Sequence, residues 1–195
     1  VGAAGNSGVW TYVQTVAGIK FNAAARKGSG TSNSDGASSG AGQSAYDIAI
    51  TGSGDDYGVA GLAWGVGYGV AENGSVSTTT GDDEHSTIFA NYAMGPATVG
   101  YQISQLDLKA GSDENADAWG IAFNINDNLS VSYGERDVEY APASGATVTE
   151  NGEGVAVAYT MGSIKIAGNR NKVSNNGGSS GVEDQMTEIA VSFAF

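Results

Sequence analysis

Cysteine is absent from this 195-residue chain, so neither a disulfide framework nor a thiolate metal site can form. Basic residues are scarce: eight Lys and Arg stand against 21 Asp and Glu, a formal charge of −13. Contact with nucleic-acid phosphates needs a basic stripe, and none exists, which sets that class aside. Charge of either sign is thin as well, at 15% against roughly 25% in ordinary soluble domains. Such a deficit argues against a surface wholly bathed in water. His85 is the only histidine, and without cysteines beside it there is no zinc set. No apolar run approaches the roughly 20 residues of a membrane helix, which excludes a helical membrane protein but not a β-barrel. Proline occurs twice, while glycine occurs 31 times without a collagen-like period.

What the chain does have is alternation. Large apolar and small or polar residues trade places with period 2 from end to end, and helical periodicity is nearly missing. The predicted strands are 9–15, 19–26, 45–51, 57–71, 86–94, 97–109, 116–125, 129–140, 153–161, 163–173 and 186–195. Several approach the 9–11 residues of a transmembrane strand. Tight turns are expected at 16–18, 52–56, 95–96, 126–128 and 162. Longer polar loops are expected at 27–44, 73–85, 110–115, 141–152 and 174–185. Short turns at one end and long loops at the other are the layout of an outer-membrane barrel, whereas a β-sandwich mixes both lengths at both ends.

The alternation is also sided. Trp119, Ile121, Phe123 and Ile125 share one face of their strand, opposite Ala118, Gly120, Ala122 and Asn124. Val155, Val157, Tyr159 and Met161 likewise oppose Gly154, Ala156, Ala158 and Thr160. A soluble sandwich would place Lys, Glu and Thr on its second face. Here that face is small and weakly polar, which suits an all-β antiparallel transmembrane barrel with a wide lumen. Tyr92, Tyr101, Tyr133 and Tyr159 lie on the apolar face near short turns, as an interfacial aromatic girdle requires.

The C-terminal run I-A-V-S-F-A-F, closing on Phe195, resembles the terminal strand of Gram-negative outer-membrane proteins. The segments I-F-A-N-Y-A-M-G-P-A-T-V-G-Y-Q-I-S and G-V-A-V-A-Y-T-M-G-S-I-K-I-A-G-N-R-N resemble general diffusion porins, especially acidic ones of alphaproteobacteria. That resemblance implies a trimeric, non-enzymatic, water-filled channel for small hydrophilic solutes. It would reside in the bacterial outer membrane among lipid and lipopolysaccharide, without a cofactor. Phe195 would be both the last girdle aromatic and the signal read by the barrel-assembly machinery. About eleven strands is an odd number, while single-chain bacterial barrels close with an even one. Residues 1–195 are therefore expected to be one barrel domain forming the C-terminal part of a protein of about sixteen strands. The missing strands would carry the infolded constriction loop that the family possesses.

A channel wall acts through its lumen-facing side chains. Strand parity turns Lys20, Asn22, Arg26, Asp47, Gln102, Arg136, Lys165, Asn169 and Glu188 away from the apolar face, so these are the expected pore-lining residues. The apparent parity breaks at Gln105–Leu106, and facing beyond that point is unassigned. Glu72, Asp82, Asp83, Glu84, Asp113, Glu114, Glu150, Glu183 and Asp184 are expected in or beside the long loops. There they would form an acidic mouth with a mild preference for cations. The run G-D-D-E-H (81–85) is either a solvated loop carrying His85 or a Ca²⁺ ligand set. The stripe Gly61, Gly65, Gly67 and Gly69 either seats an infolded loop or simply widens the lumen. Two other classes stay open: a substrate-specific outer-membrane channel, and a soluble Gly/Ser-rich surface or adhesin β-protein. An enzymatic barrel finds only His85 to build on.

Overall fold

The computed structural model describes residues 9–27, 44–72, 82–109 and 111–193. Eleven antiparallel strands follow one another as a meander: β1 (Val9–Val16), β2 (Ile19–Arg26), β3 (Ala45–Ser53), β4 (Leu62–Ala71), β5 (Asp83–Met94) and β6 (Ala97–Asp107). Then come β7 (Ser112–Asn124), β8 (Leu129–Pro142), β9 (Val148–Met161), β10 (Ile164–Ser174) and β11 (Glu183–Phe193). Each strand pairs only with its sequence neighbours, giving the order β1 through β11 in a single sheet. All eleven predicted strands exist, and the differences lie at their ends.

Tight turns join strands at one end of the sheet, and local chemistry explains them. Ala17 and Gly18 both adopt positive φ, the twist that a two-residue hairpin demands. Between β7 and β8 the Asn126 side chain accepts from the backbone N–H groups of Asn128 and Leu129, holding the turn as an Asx motif. The β3–β4 link is longer than expected, because β4 begins at Leu62 rather than near residue 57. A 3-10 turn at Gly54–Tyr57 intervenes, capped by the Ser53 hydroxyl, and Asp55 also accepts from the Gly61 N–H. The Tyr57 hydroxyl donates to the Ala17 carbonyl at 2.6 Å and ties this link to the first hairpin.

At the opposite end the strands run further than the sequence suggested. β7, β8 and β9 are 13, 14 and 14 residues long. The expected loop 141–152 shrinks accordingly to 143–147, and β7 already begins at Ser112, inside the expected loop 110–115. Most of those extra residues are polar, and the ladder continues through them without a slip.

Almost nothing in this sheet is a core. Among the described residues the buried hydrophobics are Ala45, Val70, Ala71 and Val138, while Phe193, Met161 and Ile189 are more than half exposed. Ladder hydrogen bonds hold the strands together, and one apolar face remains uncovered.

Candidate functional site

Register assigns every strand residue to one of two faces, since directly opposed partners in an antiparallel pair point the same way. One face carries Phe21, Ile48, Val66, Ile88, Ile103, Ile121, Val131, Val157, Ile166 and Val191. The other carries all nine residues expected to line a lumen. Lys20, Asn22, Arg26 and Asp47 share it with Ala24, Ala49 and Gly69. Gln102 and Arg136 both flank Ala118, while Lys165, Asn169 and Glu188 follow on β10 and β11. Eight of the nine are exposed or half-buried, whereas Arg26 is only 4% exposed and does not meet solvent as the others do.

Some of these residues are brought together. Gln102 donates to the Ser104 hydroxyl at 3.0 Å, and Ser104 lies 3.0 Å from that of Thr87. Asn169 donates to Glu188, and Asn171 donates to Asn169. Arg136 donates to Glu150 at 3.2 Å. Lys20 and Lys165 stand eight strands apart and share no partner.

The glycine stripe resolves into separate parts. Gly61 lies outside β4, at φ +82, against the Ala93 carbonyl. Gly65, Gly67 and Gly69 are buried on the small-residue face. Gly65 sits under the Phe89 ring of its β5 partner, where an added Cβ would fall 2.5 Å from the ring and 2.9 Å from the Thr51 methyl. An aromatic of the same wall fills the space that glycine leaves. Beside it is a shallow depression of about 360 Å³, lined by Phe89, Asn91, Gln102, Ala118 and Ser132.

The acidic residues depart furthest from expectation. Asp83, Glu84, Asp113, Glu114, Glu150, Glu183 and Asp184 lie within strands rather than loops. Alternation then divides them: Glu84, Asp113 and Glu183 point to the apolar face, and Asp83, Glu114, Glu150 and Asp184 to the small-residue face. His85 is likewise a β5 residue, flanked across the ladder by Gly69 and Leu106. Asp83 and Glu84 therefore diverge, and Asp83 instead accepts from the Lys109 N–H at 3.0 Å. Among the described residues no three carboxylates or imidazoles are grouped to hold a cation.

Sequence reasoning missed a second set of acids on the apolar face itself. Asp107, Asp117, Glu135, Asp137, Glu139 and Glu153 share that face with the aliphatic residues, always towards the long-loop end of their strands. No bulge occurs at Gln105–Leu106; Gln105 continues the apolar face and Leu106 the small-residue face. What changes there is polarity. Aromatic side chains mark the boundary: Trp119 and Tyr133 both donate to Glu135, and Tyr68 donates to Glu84. Tyr101 pairs with Trp119 at this boundary, while Tyr92 and Tyr159 lie near the tight turns. The four tyrosines thus occupy two levels rather than one. Phe195 lies outside the described residues.

No protein-family model matches the sequence, and no curated protein aligns with it. Solved structures do match the fold. In vitro folded OmpT, an outer membrane protein of Vibrio cholerae, superposes with a TM-score of 0.65 over 95% of this chain at 14% identity. A loop L8 deletion mutant of the same protein gives 0.66 over 95% at 14% identity. A porin refined at 1.8 Å resolution gives 0.66 over 96% at 15% identity. The chain spans 60% to 63% of the length of these proteins. The fold is that of the wall of an antiparallel β-barrel, as in these outer membrane proteins, all-β and eleven strands wide among the described residues.

Proposed function

We propose that this chain forms part of the wall of an outer-membrane porin, a water-filled channel for passive diffusion of small hydrophilic solutes and ions. One observation carries the reading: towards the tight turns a face of aliphatic and aromatic residues stays exposed on ten of the eleven strands and half-buried on β8, while the opposite face there is mostly small and polar. In water, so wide an uncovered patch would drive aggregation. Against lipid it is the stable arrangement, with the polar face turned to an aqueous lumen. Four alternate apolar positions, as on β9, cover about 20 Å of strand at roughly 3.4 Å per residue, close to the roughly 25 Å apolar band of transmembrane barrels.

Edge strands exposed to lipid would leave backbone groups unpaired at prohibitive cost. In this reading further strands close the barrel, to about sixteen, and the native assembly is a trimer embedded among lipopolysaccharide. Phe195 would serve the barrel-assembly machinery, and an excess of acid would favour cations mildly. The channel performs no chemistry in this reading. The depression beside Phe89, with amide and hydroxyl groups on its rim, favours a second version in which the channel selects particular solutes.

Planar-bilayer recording of the detergent-extracted full-length protein tests the proposal. Large, steady, ohmic steps in simple salt are expected, with reversal potentials favouring cations and less so in high salt. A protein that is soluble without detergent and gives no steps would sink it.

A further inference from the structure

The connection between β10 and β11, residues 175–182, does not project away from the sheet. It folds across the small-residue face at the top of β8 and β9, where three contacts fix it to the wall and one within the connection holds its shape. Gly177 N–H donates to Glu150 Oε2 at 2.7 Å. The Asn175 side chain donates to the Thr149 carbonyl at 2.9 Å and accepts from Gly181 N–H at 2.9 Å. The Gly178 backbone lies so close to the Tyr140 ring that an added Cβ would fall 2.9 Å from it. Gly178 has φ +71, a conformation glycine adopts without strain.

The wall beneath is unlike the rest of that face. Elsewhere it presents Ser130, Ser132, Gly154 and Ala156, but here it presents Val138, Tyr140 and Val148 around Glu150. Val138 is fully buried, and Glu150 is 8% exposed. A carboxylate so far out of water needs partners for both oxygens. Glu150 has them: Oε2 takes the loop N–H, and Oε1 takes the Arg136 guanidinium, whose own side chain is 56% exposed.

We propose that Glu150 is a positioning residue that sets two properties of the channel at once. It pins the 175–182 connection inward, narrowing the passage, and it neutralises Arg136, the strand cation facing that passage. This rests on the porin reading above. The two roles are separable, because each uses a different oxygen. A glutamine at 150 still accepts from Gly177 but no longer neutralises Arg136. An alanine loses both.

The test is single-channel conductance and reversal potential of full-length variants in bilayers. Glu150→Gln should lower the cation-to-anion permeability ratio about twofold with conductance near wild type. Arg136→Gln should raise that ratio, and the double variant should return towards wild type. Glu150→Ala should repeat the selectivity change and also raise conductance. In a background where two glycines replace 175–181, the conductance gain of Glu150→Ala should vanish while its selectivity change persists. Glu150→Gln with unchanged selectivity, or Glu150→Ala with the same conductance gain in the shortened background, would overturn the inference. Should Glu150→Ala fail to fold, as unchanged gel mobility on heating would reveal, Arg136→Gln and Glu150→Gln still decide the charge role. A wild type that conducts nothing refutes the porin reading instead, so the two failures are distinct.

Discussion

The same sheet has two zones, and their faces have opposite characters. Near the tight turns, β8 presents Leu129, Val131 and Tyr133 on one side and Ser130, Ser132 and Gly134 on the other. Beyond Gly134 the register continues without a slip, yet Glu135, Asp137 and Glu139 follow on the apolar side. Arg136, Val138 and Tyr140 follow on the polar one. The exchange recurs at Trp119 and Asp117 on β7, at Val155 and Glu153 on β9, and at Ile189 and Thr187 on β11. Strand pleating dictates only that neighbours point oppositely. In the proposed porin, what each side touches changes with height, and the residues change with it: lipid against water below, water against a folded-in loop above.

A charge placed on either side of that line separates the zones most sharply. Ile121→Lys, in the lower zone, should destabilise the folded barrel by about 2–4 kcal/mol, as cations do near a bilayer midplane. Asp137→Lys on the same face of the upper zone should cost about 0–1 kcal/mol, as near an interface. Urea titration of the full-length protein in lipid vesicles measures both, and equal costs would abolish the proposed boundary.

Packing within the lower zone gives a smaller effect. Gly65→Leu forces the Phe89 ring off its seat, and overpacking of this kind costs about 1–3 kcal/mol. The double variant with Phe89→Ala should recover part of that loss in the same titration. A strictly additive pair would show that the ring and the glycine do not depend on each other.

The acids of the upper zone give the smallest effect. Asp117 and Asp137 oppose each other directly across β7 and β8, a repulsive arrangement. Asp117→Asn should therefore stabilise by a few tenths of a kcal/mol, about the size of one cross-strand pair, in low salt. The gain should fade at high ionic strength. A gain independent of salt would point away from charge repulsion.

Much of this was legible in the residues. Alternation located eleven strands, and the face of every expected lumen residue from Lys20 to Glu188 followed from parity alone. The errors have a common origin. Gln105–Leu106 resembled a break because apolar and polar residues changed places, and a bulge and a change of surroundings leave the same mark on a sequence. Asp83, Glu114 and Glu150 looked like loop residues for the same reason, since polar strand ends in water have the composition of loops. Tyr57 and Gly61 were drawn into a strand by fortuitous alternation, where the Asp55 side chain in fact shapes a turn.

The sequence by itself determined the strands, their order and which residues share a side, because all three depend on a period of two and on connections a few residues long. Only the tertiary structure decided where along each strand the surroundings reverse. It alone joined Arg136 to Glu150, 14 residues away, and Glu150 to Gly177, 27 further on. Those contacts depend on register summed across three strands and on a loop that returns over the sheet, and a local pattern of residues carries neither.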